Sequence, residues 1–333
     1  MPATHKPARV SVCIPTIDRP DYLREAIQSV ADQTWTDLEI VLADNSGDLA
    51  AQRRIDRVLA EFPRLSFVLR RHQARLDAAD NFNSLIDAAR GEFLAWLPDD
   101  DRFCPGFIAR SVAALDVHPE CAFTFADHWI IDAEGKRDEV ESEVNSVRFN
   151  RHLLREGVYH HDRLFGIALK QSMCLQTTLF RRAPIAALRF SPGILLLDQF
   201  FFLRLAASAT PCNAYYIDER VFEYRIHGEQ TTTVTRREAL IRDQIALFEG
   251  VREIPSAYGP AVRAKLSREY LALAFLEAEA GARRQARAYA SRSLRLTRSA
   301  RSALGAVLIA IAPGAVPFAR RMYGRWRSAS GRR

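Results

Sequence analysis

The chain has 333 residues, of which 48% are hydrophobic and 26% are charged, and its formal net charge is +7 at pH 7. This length exceeds one average domain, and an α/β catalytic unit with a tail fits it as well as two full domains do. The hydrophobic content is ample for a buried core. A diffuse basic balance favours acidic partners, such as nucleotide phosphates, anionic lipid or nucleic acid, without choosing among them.

Cysteine usage and the terminal segments bear on the compartment. The five cysteines form no CxxC pair, so we expect reduced, mostly buried thiols in a cytosolic protein. Residues 1–9 lack the apolar segment of a secretory signal. The apolar run at residues 303–319 is broken by Pro313 and Pro317, which makes it too short for a membrane span. We expect a cytoplasmic protein, and either peripheral contact of this run with the inner face of the membrane or packing of the run in a core.

Strand and helix patterns alternate through the first third of the chain. Apolar and β-rich runs predict strands over residues 10–14, 38–43, 65–69, 92–97 and 121–126. Helical spacing begins at Asp21 and returns over residues 78–90, after which Gly91 occupies the place of a helix C-cap. Strands that alternate with crossover helices predict an α/β fold with a doubly wound, mostly parallel sheet. Such sheets bind ligands beyond the carboxyl ends of their strands.

The pattern changes near residue 235, where helix-forming segments rich in Ala and Arg begin. We therefore predict a catalytic domain at residues 1–235 and a basic helical tail at residues 236–333. Within the first of these, residues 8–126 and residues 127–235 form two predicted halves.

Three consecutive carboxylates, Asp99, Asp100 and Asp101, follow directly after a predicted strand. Because adjacent carboxylates repel one another, a buried cluster of them needs a cation or protons. Hard oxygen ligands at a strand end suit Mg²⁺ or Mn²⁺, which commonly also hold substrate phosphates. The alternative is a solvated acidic turn that caps the following helix.

A second polar loop, residues 44–48, follows the second predicted strand. Asp44 in this loop could accept hydrogen bonds from a nucleobase or a ribose, as carboxylates do in dinucleotide folds. An ordinary turn is the alternative, since the loop consists of turn-forming residues.

Four segments carry a further pattern, namely VSVCIPT at residues 10–16, DLEIV at 37–41 running into Asp44, GEF at 91–93 and LPDDD at 97–101. In their order and spacing they resemble family 2 glycosyltransferases. The resemblance is dense over residues 10–107 and patchy to about residue 233. It implies a GT-A fold, a nucleoside-diphosphate sugar donor with UDP favoured, a Mn²⁺ or Mg²⁺ cofactor, and inversion at the anomeric carbon. It also implies that residues 8–126 form a nucleotide-sugar half of the catalytic domain and residues 127–235 an acceptor half.

The resemblance also implies roles for individual residues. Those placed around the nucleotide sugar are Pro15, Thr16, Asp18, Arg19, Asp44, Asn81, Asn83 and Asp99. Asp44 would contact the base and Asp99 would approach the ribose, whereas Asp100 and Asp101 would hold the metal. Asp18 departs from the family, which commonly has asparagine at its position.

Two further segments extend the resemblance. LDQFFFLRL at residues 197–205 is similar to a segment whose Asp acts as the general base, which implies that role for Asp198. Leu197 stands where the family usually has Glu, and a helix N-cap is the alternative role for Asp198. YRIH at residues 224–227 is similar to a motif near the diphosphate, where His227 would complete the metal site. A surface histidine is the alternative.

These features predict transfer of a sugar to the hydroxyl of a saccharide or lipid-linked acceptor, in cell-surface polysaccharide or glycolipid biosynthesis. One alternative is a sugar nucleotidyltransferase, which is expected to have a glycine-rich loop after the first strand. Residues 15–19, which follow that strand here, contain no glycine. The other is a basic nucleic-acid-binding protein. The tail's arginines lie in no recognised nucleic-acid-binding motif, so nucleic acid is not favoured as a partner.

Overall fold

The computed structural model describes residues 9–186, 188–208, 210–228, 237–251, 253–297, 303–305 and 307. The chain divides into two compact units, Met1–Thr233 and Val234–Arg333. The predicted boundary at residue 235 and most of the apolar run at residues 303–319 lie outside the described residues.

One sheet organises the first unit. Its described strands are β1 (Val10–Thr16), β2 (Leu38–Asp44), β3 (Phe67–Arg71), β4 (Phe93–Trp96), β5 (Arg102–Phe103), β6 (Cys121–Ile131), β7 (Arg137–Asp138), β8 (Gly157–Tyr159), β9 (Leu179–Arg181) and β10 (Asn213–Arg225). Their order across the sheet is β3-β2-β1-β4-β9-β6-β10-β5, with β7 beside β6 and β8 beside β10.

Helices connect these strands and cover the sheet. Those described in the first unit are α1 (Pro20–Ala31), α2 (Leu49–Ala60), α3 (Ala78–Ala88), α4 (Phe107–Val117), α5 (Glu139–Arg148), α6 (His161–Leu169), α7 (Arg182–Ile185) and α8 (Leu197–Ala206). Short 3₁₀ turns lie at Arg151–Leu153 and Leu175–Thr177. The apolar faces of α1, α2 and α4 pack against the buried side chains of β1, β2 and β4 to form the main core.

The first four strands of the sheet are parallel, and their carboxyl ends meet at one edge. Thr16 lies opposite Asp44, which in turn lies opposite Arg71 on the next strand. The predicted α/β fold with a mostly parallel sheet is confirmed in this part of the chain. The sequence pattern missed β9, which runs antiparallel between β4 and β6, because three residues are too few to show a period.

Local sequence explains where the first helices begin. Pro20 occupies the first turn of α1, where its missing N–H is not needed. Asp48 and Asp77 accept hydrogen bonds from the first backbone N–H groups of α2 and α3. Each helix therefore starts directly after a polar loop at the carboxyl edge of the sheet.

Gly91 is not the helix C-cap that its position predicts. α3 ends at Ala88, and its C-cap is Ala89 in an extended conformation. A Cβ on Gly91 would lie 2.6 Å from the backbone nitrogen of Ser11. The residue is therefore glycine because the chain passes close to β1 at this point.

The second unit is helical where it is described, with α9 (Arg237–Gly250), α10 (Gly259–Glu279) and α11 (Arg283–Leu296). α10 and α11 pack closely through small side chains, among them Ala274, Ala278, Ala286 and Ala290. Among the helices that the structure describes, none is long and apolar enough to cross a membrane.

Candidate nucleotide-sugar and metal site

The aspartate turn, residues 99–101, follows the carboxyl end of β4 and lies beside the end of β1. The Oδ2 atom of Asp99 accepts hydrogen bonds from the Thr16 hydroxyl at 2.7 Å and the Ile17 backbone N–H at 3.1 Å. Asp99 is only 4% exposed. The solvated-turn interpretation is therefore wrong for Asp99, whose carboxylate is built into the loop after β1.

Asp100 lies between two basic groups. Its Oδ2 atom is 2.7 Å from Nη1 of Arg19 and 3.0 Å from Nε2 of His227. His227 is buried, with 9% of its surface exposed, so it is not the surface histidine that was the alternative. The structure thus brings together three residues that the sequence assigned to the nucleotide and the metal.

Burial changes the protonation of the aspartate turn. Burial, reinforced by the charge of Asp100, raises the pKa of Asp99 to about 6, against the opposing effects of Thr16 and Arg19. Burial also raises the pKa of Asp101 well above its usual range, although the backbone N–H of Arg225 opposes this. A further cation near these carboxylates would stabilise their ionised forms.

The donor set fits a cation that also binds the substrate. Within the described residues, no three His, Cys, Asp or Glu side chains are arranged to hold a metal by themselves. Mg²⁺ and similar ions are commonly held by one or two carboxylates together with substrate phosphates and water. Asp100 and His227, in contact at 3.0 Å, fit that partial protein contribution.

Asp44 ends β2 and is fully buried, yet one of its carboxylate oxygens is unused. Its Oδ1 atom accepts hydrogen bonds from the backbone N–H and the hydroxyl of Ser46. Its Oδ2 atom has no hydrogen-bond partner among the described residues. A buried polar atom without a partner is costly, so this oxygen is suited to receive a donor from a ligand.

A cleft of about 380 Å³ opens between the loops after β1 and β2. It is lined by Ile17, Asp18, Arg19, Ser46, Asp48 and Arg75. Asp18 has a left-handed backbone with φ of 49°, and its carboxylate forms two hydrogen bonds with Arg54. Asp18 and Arg19 line this cleft, and Pro15 lies shortly before them in the chain, near the end of β1. Their assignment to the nucleotide stays a prediction.

The two asparagines of α3 differ in their contacts. Asn81 is buried, and its Oδ1 atom has no partner in the described part of the chain. The amide of Asn83 is bonded to both backbone groups of Phe190, at 3.0 Å to the carbonyl and 2.9 Å from the N–H. Their assignment to the donor stays a prediction, and Asn83 has an additional partner that the sequence did not indicate.

Asp198 lies in the first turn of α8 and is not its N-cap. The cap position is Leu196, and no side chain caps this helix. The Oδ2 atom of Asp198 instead accepts the backbone N–H of Leu175 at 3.2 Å. Burial raises the pKa of Asp198, and the Leu175 N–H opposes that shift, which leaves a carboxylate suited to accept a proton.

Sequence reasoning missed two residues of this region. Arg75 lines the cleft, and nothing in its local pattern distinguishes it from a solvated loop residue. Arg225 donates its backbone N–H to Asp101. Arg225 lies within the YRIH segment, but its contacts with the aspartate turn join residues that are far apart in the sequence.

A family model described as glycosyl transferase family 2 matches residues 11–184, more than half of the chain. The chain belongs to glycosyl transferase family 2. The matched range includes Asp44 and the aspartate turn but ends before Asp198 and His227, so the assignment of these two residues rests on the shorter motifs and the geometry.

The similar curated proteins cover part of this family 2 chain. It is 31% identical over 131 residues to an uncharacterized protein of Mycobacterium tuberculosis and spans 38% of that protein's length. It is 25% identical over 146 residues to the GalNAc(5)-diNAcBac-PP-undecaprenol beta-1,3-glucosyltransferase of Campylobacter jejuni, with 42% of this chain and 47% of the relative covered.

Solved structures match most of the chain at low sequence identity. S. aureus TarS 1-349 in complex with UDP-GlcNAc matches with a TM-score of 0.62 at 14% identity, over 86% of this chain and 81% of the TarS 1-349 chain. The mannosyltransferase PcManGT from Pyrobaculum calidifontis, in complex with GDP-Man and Mn²⁺, matches with a TM-score of 0.58 at 16% identity, over 93% and 82% of the two chains. These matches confirm the predicted GT-A fold.

Proposed function

We propose that this chain is an inverting, metal-dependent glycosyltransferase that transfers a sugar from a UDP-sugar to an acceptor hydroxyl. The observation that carries the proposal is one edge of the sheet at which the aspartate turn contacts His227 and at which Asp44 presents a buried, unpartnered oxygen. Both features border the loops after β1 and β2, which line the cleft.

The unused oxygen of Asp44 supports a nucleotide with an N–H donor on its base. The imide N–H of uracil would supply the missing hydrogen bond, and the amino groups of cytosine and guanine are also N–H donors. Arg19 and Arg75, which line the cleft, suit the diphosphate because arginine binds phosphate oxygens in pairs.

Asp100, Asp101 and His227 would hold the metal in this proposal. When bound, the cation would stabilise the negative charge that develops on the departing diphosphate. Asp99, fixed by Thr16 and Ile17, would face the ribose. The buried position of the turn strengthens each of these electrostatic interactions, because the local dielectric is low.

Asp198 would remove the proton from the acceptor hydroxyl as that hydroxyl attacks the anomeric carbon. A single carboxylate base suits direct displacement, which inverts the configuration at that carbon. The C. jejuni relative is named for an undecaprenol-linked acceptor. We propose a saccharide or lipid-linked acceptor in cell-surface polysaccharide or glycolipid biosynthesis.

Calorimetric titration of UDP, in Mn²⁺ and in EDTA, tests the metal-dependent part of this proposal. We expect UDP to bind at least about tenfold more tightly in Mn²⁺, and equal affinities would contradict it. Parallel titrations of CDP and GDP test the assignment of the base. Asp100→Asn, which removes one charge at nearly constant shape, should bring the affinity in Mn²⁺ down to the value in EDTA.

A further inference from the structure

Arg225 is a fully buried arginine at the end of β10 whose hydrogen bonds converge on the aspartate turn. Its side chain is 0% exposed. Its Nε–H donates to the carbonyl of Asp100 at 2.7 Å, and its backbone N–H donates to Oδ1 of Asp101 at 2.8 Å. Its Nη1 donates to the carbonyl of Ala133 at 2.8 Å. One residue therefore joins the end of β10 to two segments that are distant from it in the sequence.

The charge of Arg225 is balanced by a carboxylate on helix α1. Its Nη2 lies 2.5 Å from Oε2 of Glu25 in α1, and its guanidinium carbon is 4.7 Å from the centre of the Tyr22 ring. The Tyr22 ring is in turn 5.3 Å from the ring of His227. Burying an unpaired charge is costly. The number of specific partners around Arg225 therefore indicates that the arginine is held in one geometry.

We infer that Arg225 is a positioning residue that holds the aspartate turn in register with His227 and thereby sets the affinity of the site for a divalent cation. Arg225 fixes the backbone of Asp100 on one side and lies two residues before His227 on the other. The 3.0 Å contact between the Asp100 carboxylate and the His227 imidazole joins the two segments that Arg225 ties together. This inference rests on the proposed function, since it assigns a metal to that contact.

The planar guanidinium is essential to this role, and its charge alone is insufficient. Three separate nitrogens of Arg225 reach Asp100, Ala133 and Glu25. A lysine ammonium is a single point of charge on a flexible stem and cannot present donors in that fixed pattern. Partners that orient metal ligands without touching the metal typically change metal affinity by 10–100-fold when they are mutated.

The test measures Mn²⁺ binding to the full chain at saturating UDP, by the loss of the free-ion electron paramagnetic resonance signal. The variants are Arg225→Lys and, as a matched control, Arg151→Lys. Arg151 is also buried, at 3% exposure, and is paired with Asp127 rather than with the aspartate turn. Thermal unfolding of all three proteins measures the structural effect of losing a buried guanidinium.

We expect Arg225→Lys to weaken Mn²⁺ binding by at least about tenfold and Arg151→Lys to leave it within about twofold of the parent, although both lower the melting temperature. Mn²⁺ affinity that is equal in Arg225→Lys and the parent would overturn the inference, as would an equal loss in both variants. If Arg225→Lys does not fold, Glu25→Gln removes the counter-charge at a partly exposed position. It should weaken Mn²⁺ binding severalfold, and parent-like binding would overturn the inference.

Failure of the proposed function gives a different result. If the parent protein binds no Mn²⁺ at saturating UDP, the proposed function is contradicted before any variant is compared. If the parent binds Mn²⁺ and UDP but Arg225→Lys binds them equally well, only the role of Arg225 is wrong.

Discussion

At the scale of single residues, Asp198 shows how burial turns an ordinary carboxylate into a candidate base. It follows the apolar segment at residues 194–197 and precedes three phenylalanines. Its pKa is raised by burial, and hydrogen bonds from the Leu175 N–H and from its own backbone N–H only partly oppose this. A carboxylate with a raised pKa accepts a proton more readily once it is ionised. The rate of sugar transfer should therefore rise with pH as the carboxyl group of Asp198 loses its own proton.

We predict that Asp198→Asn lowers turnover by about 10²–10⁴-fold, the usual contribution of a general base, and leaves the affinity for UDP and Mn²⁺ unchanged. The asparagine can still accept the Leu175 N–H, so the fold should be retained. Steady-state turnover and UDP calorimetry on the same preparation check this. A variant that transfers sugar at nearly the parent rate would remove Asp198 from the mechanism.

The sequence predicted the place of a residue in the sheet where a motif and a strand end coincide, and the role of that residue stays a prediction. Asp44 and Asp99 both follow buried strands, and both lie at the carboxyl edge of the sheet. It failed for Arg225, because its contacts with the aspartate turn span 124 and 125 residues of chain. No local pattern encodes a contact of that separation.

At the scale of secondary-structure elements, Asn83 links α3 to the segment that leads to Asp198. Its amide forms two hydrogen bonds with the backbone of Phe190, 107 residues away. Asn45 makes an equivalent pair of bonds with Leu76, at 3.1 and 2.7 Å, in the nucleotide-sugar half. The two asparagines therefore fix two different loops in the same way.

Replacing Asn83 with Asp should leave UDP affinity unchanged and lower turnover by about tenfold to a hundredfold, since a small misplacement of reacting groups is enough for that loss. The aspartate cannot donate to the Phe190 carbonyl and would face it with a negative charge. Asn45→Asp is the matched variant, and it should weaken UDP binding instead. If Asn83→Asp weakens UDP binding, the side chain faces the donor as the sequence predicted.

Strand β6 carries a buried histidine, His128, that stays neutral in the folded protein. Burial, reinforced by the charge of Arg151, lowers the pKa of His128 to about 3, while the charge of Asp127 acts in the opposite direction. Arg220 further lowers this pKa, and the Cys174 sulfur lies 3.9 Å from Nδ1. Because the unfolded chain binds a proton near pH 6.5 and the folded chain does not, stability is lost as the pH falls from about 6.5 towards 3.

This predicts an acid-dependent loss of unfolding free energy of up to about 1.4 kcal/mol per pH unit from this one group. His128→Gln should remove that component, whereas His118→Gln, at a half-exposed position, should retain it. Urea unfolding at several pH values between 4 and 7 measures the slopes. Identical acid slopes in the parent and His128→Gln would show that His128 does not contribute.

At the scale of the whole molecule, the sequence predicted the regular part of the sheet and missed its irregular part. The parallel strands β1 to β4 each contain an apolar run, and a helix lies between each strand and the next. β10 pairs with β6 through three shifts of register, and β9 has only three residues. Bulges and short antiparallel strands are specified by long-range packing, so their local sequence carries little signal.

The division into two units gives the last prediction. All the hydrogen bonds described above for the aspartate turn, Asp44 and His227 join residues of the first unit, Met1–Thr233. The closely packed alanines of α10 and α11 lie in the second unit. A chain ending at Thr233 should therefore bind UDP with Mn²⁺ within about threefold of the parent affinity, which is less than 1 kcal/mol. Circular dichroism confirms that the shortened chain is folded, and calorimetry measures its UDP affinity beside that of the full chain. A folded shortened chain that no longer binds UDP would mean that the second unit contributes to the donor site, and the predicted catalytic domain would have to be extended beyond residue 235.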